Sequence, residues 1–359
     1  MELKYSALER LPKSQNSSLK SYNAADELLL NQITTIQGSY GIYNDQFGCL
    51  TVHLAEADVN IRCDLKSQAD AIVQNFRQIH DYDLPKTPTF LLEQQDFLAS
   101  TILLKIPKSI GLFEQFLQDI HAHLADGGVV YAGFMTKYFS KSLVETALKY
   151  FNSVEQTRAF KKARLLVLRD KKKNVQTPPK NELVFDQLHL EQFDGVFSAK
   201  KVDKATRHLL AHLPSLIPSK THAVLDLACG NGIIGLYVNQ LTQINELHFL
   251  DDSQLAIASA QLNGPDLAHY HHDFQLNSFE DHTFDWIITN PPFHFGHTVD
   301  TSIAQDLFKQ AYRCLQPGGY LTIVSNANLG YEWLLKELFA QVDHSRSTSA
   351  FNIFHCLKV

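Results

Sequence analysis

Cysteine is scarce in this chain and spaced for neither a disulfide framework nor a thiolate metal site. Five cysteines in 359 residues, at 49, 63, 229, 314 and 356, never come closer than fourteen positions, and no C-x-x-C pair occurs. That excludes a disulfide-stapled secreted scaffold and points to a reducing compartment. Long apolar runs are missing too: none approaches the ~18 residues that a bilayer span requires, so no membrane partner is expected. The opening residues, Met1-Glu-Leu-Lys-Tyr-Ser6, lack a charged-then-apolar targeting pattern, and a soluble cytoplasmic protein is the expectation. Metal-ligand spacing is absent despite seventeen histidines. His269, His271 and His272 stand on or beside a predicted strand that sends neighbours to opposite faces, and His294 and His297 lack a carboxylate or thiolate at ligand spacing. No metal is expected.

Positive charge is in deficit overall, with a formal net charge of −6. Its distribution is more informative. Arg158 to Lys173 holds eight basic residues and one acid, leaving the rest of the chain at −13. A cationic patch on an acidic protein suits either phosphate contact or a solvated linker.

What is present is a chain about twice the length of a typical domain, with 45% hydrophobic residues, enough to bury two cores. Its elements recur in the same order. Tyr22–Ile33 has helical spacing, Tyr40–Tyr43 reads as a strand ending at Asn44-Asp-Gln-Phe-Gly48, and Thr101–Ile106 as a strand ending at Pro107-Lys108. A helix over 111–124, the turn Ala125-Asp-Gly-Gly128 and the strand Val129–Ala132 follow. In the second half, strand Ala223–Leu227 enters Ala228-Cys-Gly-Asn-Gly232 and a helix from Ile233. Strand Phe284–Thr289 enters Asn290-Pro291-Pro292-Phe293, a helix covers 302–315, and Gln316-Pro-Gly-Gly319 turns into strand Tyr320–Val324. These are two copies of one α/β unit. The boundaries expected are a first domain over 1–170, whose first twenty residues are polar and poorly ordered, a linker over 171–183, and a second domain over 184–359. Only the second copy keeps a glycine-rich loop and an Asn-Pro-Pro-Phe turn. The first has Lys105-Ile-Pro-Lys108 there and a single glycine, Gly48, so it keeps the fold and has lost the site.

The loop Gly230-Asn-Gly232-Ile-Ile-Gly235 is a literal G-x-G-x-x-G between strand and helix, which alone would admit a dinucleotide. Asp226 ends the strand just before it, where an acid would repel a pyrophosphate but meet the cationic amino group of S-adenosylmethionine. Asp251, at the end of the next strand, suits ribose hydroxyls of either cofactor, and Asp273 stands where an adenine amino group needs an acceptor. The discriminating feature is the turn at 290. Its prolines stop the strand and fix the backbone, so the Asn290 side chain and the Pro291 carbonyl offer two acceptors to a planar amino group. Phe293 adds a face on which a base can stack. Hydride transfer requires none of this, and S-adenosylmethionine is the cofactor expected. Cys229, between loop residues with no histidine placed to activate it, reads as a small residue packing under the cofactor rather than a nucleophile.

Together, D-x-x-C-G-N-G at 226–232 and N-P-P-F-H at 290–294 resemble the ribosomal RNA guanine-N2 methyltransferases, which carry two tandem methyltransferase-like domains with only the second binding cofactor. Ala24-Ala-Asp-Glu-Leu-Leu-Leu30, Asn44–Gly48, Leu104-Lys-Ile-Pro-Lys108 and Lys161-Lys-Ala-Arg164 resemble the large-subunit branch rather than the small-subunit one. The resemblance implies two Rossmann-like class I domains of mostly parallel sheet with an antiparallel last strand, over 351–358 and 163–169. It implies methylation of a guanine N2 in 23S rRNA, free or in an assembly intermediate, with no obligate protein partner. The cofactor set it implies is Asp226, Ala228, Cys229, Gly230, Asn231, Gly232, Asp251, Asp252, Asp273 and Asn290. The catalytic turn is Asn290 to Phe293. Phe293, His294, Phe197, Lys200, Lys201, Lys161, Lys162 and Arg164 are the substrate contacts. The family tends to read F-S-R-x-G-L-D before the cofactor domain, where this chain has Phe197-Ser-Ala199-Lys-Lys-Val-Asp203, and a basic residue where it has Ala350. The target base is therefore less firmly implied than the reaction. Guanine N2 in 16S rRNA, adenine N6 and a glutamine amide stay open, as do a nicotinamide oxidoreductase and a non-catalytic RNA-binding protein.

Overall fold

Strands that are apolar along their whole length, separated by amphipathic helices, can satisfy both faces only inside a sheet covered on each side. A computed structural model of the chain shows this arrangement twice. It describes residues 7–13, 19–33, 38–291, 294–295, 298–299 and 302–359. The chain divides into two units, 1–179 and 180–359. Among the described residues no helix is long and apolar enough to cross a membrane.

In the first unit the strands are β1 (Ser39–Tyr43), β2 (Asp58–Cys63), β3 (Thr89–Phe90), β4 (Ala99–Lys105), β5 (Leu124–Met135), β6 (Phe151–Gln156) and β7 (Ala163–Lys171). Helices α1 (Ala24–Leu30), α2 (Cys49–His53), α3 (Lys66–His80), α4 (Ile110–His123) and α5 (Lys141–Tyr150) intervene. The sheet order is β3-β2-β1-β4-β5-β7-β6, parallel except for β7, which runs antiparallel to both its neighbours. Asn23 caps α1 reciprocally with Asp26, a capping box that starts the helix sharply.

The second unit opens with a hairpin of β8 (Asn181–Phe185) and β9 (Leu188–Gln192) and the helix α6 (Lys204–His212). Then come β10 (Ala223–Leu227), α7 (Ile233–Leu241), β11 (Glu246–Asp251), α8 (Gln254–Asn263), β12 (His269–His272) and β13 (Phe284–Thr289). A short hairpin, β14 (His294–Phe295) and β15 (Thr298–Val299), precedes α9 (Ser302–Cys314), β16 (Leu315–Asn326), α10 (Glu332–Leu338), β17 (Gln341–Asp343) and β18 (Phe351–Leu357). The order β12-β11-β10-β13-β16-β18-β17 repeats that of the first sheet, with β18 antiparallel. Alternate residues of the central strands feed two cores. Val224, Trp286 and Ile288 pack on one face, and Leu225, Leu227 and Ile287 on the other.

Two expectations are corrected and one is refined. Lys171 belongs to β7 and Asn181 begins β8, so both ends of the segment expected as a linker are strand. The glycine turns at 125–128 and 316–319 are kept inside the ends of β5 and β16, where pairing passes from Ala99↔Leu124 to Thr101↔Val129 and from Phe284↔Leu315 to Trp286↔Tyr320, with positive φ at Gly127 and Gly318. The expected disorder of residues 1–20 falls partly outside the described residues, and within them Leu8 is buried, its carbonyl accepting from the Ser21 hydroxyl at 2.7 Å.

Because β1 pairs with β2 and β4 as β10 pairs with β11 and β13, the units match residue for residue. The loops after β1 and β10 share positive φ at Asn44 and Ala228 (57° and 58°) and at Gly48 and Gly232 (79° and 83°), but they part between these points, where Gly230 is left-handed at 57° and Gln46 is not. Their side chains differ. Ile42 stands at the place of Asp226, Gln46 at Gly230, Cys63 at Asp251, Leu91 at Asp273 and Lys105 at Asn290.

Candidate active site

β10 is buried along its whole length, so the chain must leave the sheet abruptly where it meets α7. Gly232 makes that turn. It caps α7 with φ +83°, and a Cβ there would meet Ala260 and the Phe249 ring at 3.2 Å. Gly235 is tighter still, with Phe249 2.6 Å from a modest methyl. These two glycines therefore pack the helix onto β11 and α8. Gly230 is different. Its φ is +57° and a Cβ there meets nothing within 4 Å among the described residues, so it borders open space.

Asp226 does not project toward a ligand as expected. It is fully buried, and its Oδ2 accepts the Gly235 N–H at 2.8 Å, tying the loop to the strand. Its Oδ1 is buried without a hydrogen-bond partner. Asp251 accepts from the Gly230 N–H and the Ser253 N–H, each at 2.9 Å and each on a different oxygen, which leaves lone pairs on both. Burial raises the pKa of both carboxyls; their hydrogen bonds from backbone N–H groups oppose the shift. No cation offsets the burial of either carboxyl; Asp226 is closed off, and Asp251 is the one that keeps lone pairs for an incoming donor. Asp252 offers its carbonyl to His272 at 2.9 Å. Asp273 uses Oδ1 to accept from Phe274 and Gln275, an Asx turn at the end of β12. Cys229 is buried and its thiol is pushed far up by burial and by Asp251 and Asp226, so it packs rather than reacts. Among the described residues no group of three His, Cys, Asp or Glu could hold a metal.

Asn231 is buried and donates to Gln192 Oε1 at 2.7 Å, and Gln192 Nε2 in turn donates to the Ser198 carbonyl at 3.4 Å. This chain ties the loop to the segment carrying Phe197, 63% exposed, and the exposed Lys200 and Lys201. That segment ends at Asp203, which caps α6 by accepting from Ala205 and Thr206 N–H. Asn290 follows β13 and donates through Nδ2 to Thr206 Oγ1 at 2.9 Å and toward Asp203 Oδ2 at 3.5 Å. The sequence reading named Asp203 only as the end of a motif and missed Thr206, which no local pattern marks. Pro291 is buried. Pro292, Phe293 and the His294 side chain lie outside the described residues, and so does the stacking role expected of Phe293.

Lys161, Lys162 and Arg164 belong to the other unit. Lys161 and Lys162 form the tip of the β6–β7 hairpin with φ of 45° and 64°, between Phe160 and Ala163, whose backbones bond reciprocally at 2.7 and 2.8 Å. Positive φ at two non-glycine residues is uncommon and marks a type I′-like turn that holds both lysines at the apex. Lys161 Nζ pairs with Glu27 at 2.7 Å, and Arg164 donates to Gln156 at 3.0 Å. The basic run from 158 to 173 is thus a hairpin arm and an inner strand, not a linker.

A parallel sheet with its last-in-sequence strand inserted antiparallel, a glycine loop after its central strand and an Asn-Pro turn after the next strand define a Rossmann-like methyltransferase domain, and this chain has two such sheets. Residues 187–355 match the Methyltransferase small domain and residues 1–173 the RLMG N-terminal domain. The ribosomal RNA large subunit methyltransferase G of Shewanella loihica is 32% identical over 375 residues, covering 98% of this chain and 92% of that protein. Its counterpart in Alcanivorax borkumensis is 30% identical over 376 residues, covering 97% and 94%. The chain belongs to the ribosomal RNA large subunit methyltransferase G family. A T. thermophilus 16S rRNA N2 methyltransferase, solved with AdoMet and guanosine, shares the fold with a TM-score of 0.77 over 94% of this chain and 92% of that one, at 23% identity.

Proposed function

We propose that the protein transfers a methyl group from S-adenosylmethionine to the exocyclic N2 of a guanine in 23S ribosomal RNA. Family membership supplies the substrate class, and one observation carries the chemistry. Asn290 spends its Nδ2 on Thr206 and Asp203, leaving Oδ1 as the acceptor it presents. An amino group donates to such an acceptor and a carbonyl does not.

When bound, S-adenosylmethionine supplies an electrophilic methyl group. Gly230, with open space beside its α-carbon, would let the backbone approach it, Asp251 has lone pairs that would accept from its ribose hydroxyls, and Asp273 would accept from its adenine amino group. Ala228, Cys229, Asn231, Gly232 and Asp252 shape the surrounding loop, and buried Asp226 braces it. Asn290 Oδ1 and the Pro291 carbonyl accept the two amino hydrogens and so aim the nitrogen lone pair. The amino nitrogen so aimed would take the methyl group in exchange for its sulfur bond, and its surplus proton would pass to water. Positioning of this kind supplies several kcal/mol without a general base. The target base must be unstacked to reach the turn, and Phe293 and His294 are the residues proposed to receive it. Phe197, Lys200 and Lys201 offer an exposed aromatic and basic face to the RNA. The first domain, without the polar site residues, serves as scaffold or as an RNA contact through Lys161, Lys162 and Arg164.

The test is incubation with labelled S-adenosylmethionine and each deproteinised rRNA, followed by mapping of the label. Label at a guanine N2 of 23S rRNA is expected. Label in 16S rRNA or on adenine N6 would overturn the substrate assignment, and no label in any RNA would overturn the activity.

A further inference from the structure

We infer that Thr206 and Asp203 are positioning residues that decide which end of the Asn290 amide faces the substrate. The inference rests on the function proposed above and adds the device that makes Asn290 an acceptor there.

An asparagine amide carries two chemically opposite ends of nearly equal shape, and only its hydrogen-bond partners choose between them. Thr206 Oγ1, 2.9 Å from Nδ2, can donate or accept and so favours neither end. Asp203 breaks the tie. Its Oδ2 lies 3.5 Å from Nδ2 and already accepts the N–H groups of Ala205 and Thr206, which hold it at the head of α6. A carboxylate has no proton to donate, so turning the amide would set two acceptors against each other. The amino end is thereby held toward α6 and Oδ1 away from it. Thr206 is itself buried, 6% exposed, which fixes its hydroxyl beneath the turn.

The first unit supplies an independent observation. The third residue of α1 is Asp26, at the place of Thr206 in α6, and Lys105 stands at the place of Asn290. There the same two positions again meet, as a buried ion pair with Nζ 2.7 Å from Asp26 Oδ1. Both partners have changed together from one unit to the other, while the contact between helix and strand end persists. A residue serving only to start α6 would have no reason to follow the chemistry of the strand-end residue.

The test uses the full chain and its rRNA substrate, with Thr206→Val, Thr206→Ser and Asp203→Asn in the native and Asn290→Ala backgrounds. Val keeps the shape of Thr and removes the hydroxyl, and Asn keeps the cap but can present either end. Loss of an orienting partner typically lowers activity ~10- to 100-fold, and kcat of Thr206→Val and Asp203→Asn should fall within that range. The Kd for S-adenosylmethionine should be unchanged, and Thr206→Ser should recover most of kcat. In the Asn290→Ala background neither substitution should lower kcat further, because a residue acting through Asn290 has nothing left to orient. Equal losses in both backgrounds, or unchanged kcat in both single variants, would overturn the inference while leaving the methyltransferase reading intact. A native enzyme that methylates no RNA would overturn both.

Discussion

Replacing Lys105 with Met should unfold the first unit far more readily than its position after a strand suggests. Nζ of Lys105 lies 2.7 and 2.9 Å from the two carboxylate oxygens of Asp26, and the side chains are 8% and 0% exposed. Burial alone would push the lysine pKa down, yet Asp26 more than offsets it, and the ammonium is held above its usual value. Without that ammonium, Asp26 is a buried carboxylate whose remaining donor is the Asn23 N–H at 2.7 Å. Removing one partner of a buried pair costs about 3–5 kcal/mol. For a unit of this size that corresponds to a fall in Tm of roughly 6–20 °C. The double variant Asp26→Thr, Lys105→Asn brings in the neutral pair of the second unit and should recover more than half the loss. Urea titrations of the full chain, read by labelling of the buried Cys49 and Cys63, report the first unit. Fluorescence of Trp286 and Trp333, the two tryptophans, reports the second. A loss below about 1 kcal/mol in Lys105→Met, or an equal loss in the double variant, would refute the reasoning, since a buried unpaired charge is costly.

Three further outcomes follow from the geometry. Gly235→Ala places a methyl 2.6 Å from Phe249 and should destabilise the second unit by about 1–3 kcal/mol, read by calorimetry of melting. Gly230→Val has room for its side chain but strains a backbone at φ +57°, so it should lower stability and also abolish S-adenosylmethionine binding, measured by titration calorimetry below its melting temperature. Burial and its neighbours His269 and His271 lower the pKa of His248 to about 4. The unfolded state therefore binds the extra proton first, stability falls as pH drops from 6.5 toward 4, and His248→Phe should remove about 3 kcal/mol of that dependence in chemical denaturation. Neutralising Lys161 and Lys162 should flatten the salt dependence of RNA binding by about 0.7–1.4 in log–log slope, with S-adenosylmethionine affinity unchanged; an unaltered slope would leave the hairpin without an RNA role.

The strands that the sequence made plain are those buried on both faces. Ala223–Leu227 and Phe284–Thr289 are apolar apart from Asp226, Asp285 and Thr289, and their predicted ends match the structure; Asp226 and Asp285 accept from backbone N–H groups within the fold. β2 went unread because Asn60 and Arg62 break its apolar run. Arg62 is nevertheless 1% exposed, its charge met by Asp119 at 2.7 Å, a partner 57 residues away that no local pattern discloses. Within the basic run the strand expected over 163–169 is present as β7, where Arg164 and Arg169 flank four consecutive apolar residues, Leu165 to Leu168, that fill the sheet interior; the linker alternative fails because those residues are buried. At the site, residue identities were legible but partners were not. The order of Asp226 before a glycine loop does not reveal that its carboxylate turns back onto Gly235. Nor does the motif at 290 reveal that α6 holds its amide, since that contact joins positions 84 residues apart.

The partly shared backbone path of the two loops has a use beyond this enzyme's chemistry. Gly232 and its counterpart Gly48 both survive, with φ of +83° and +79°. Gly230, at φ +57°, stands where the first unit has Gln46, which is not left-handed. The chain therefore contains its own comparison. A glycine kept in both halves answers to the geometry of leaving a buried strand, whereas position 230 marks the point at which the second loop takes a turn that the first does not. Engineering of the loop inherits two separate limits: a side chain at 232 meets Ala260 and Phe249, and one at 230 has room but is strained by its own backbone.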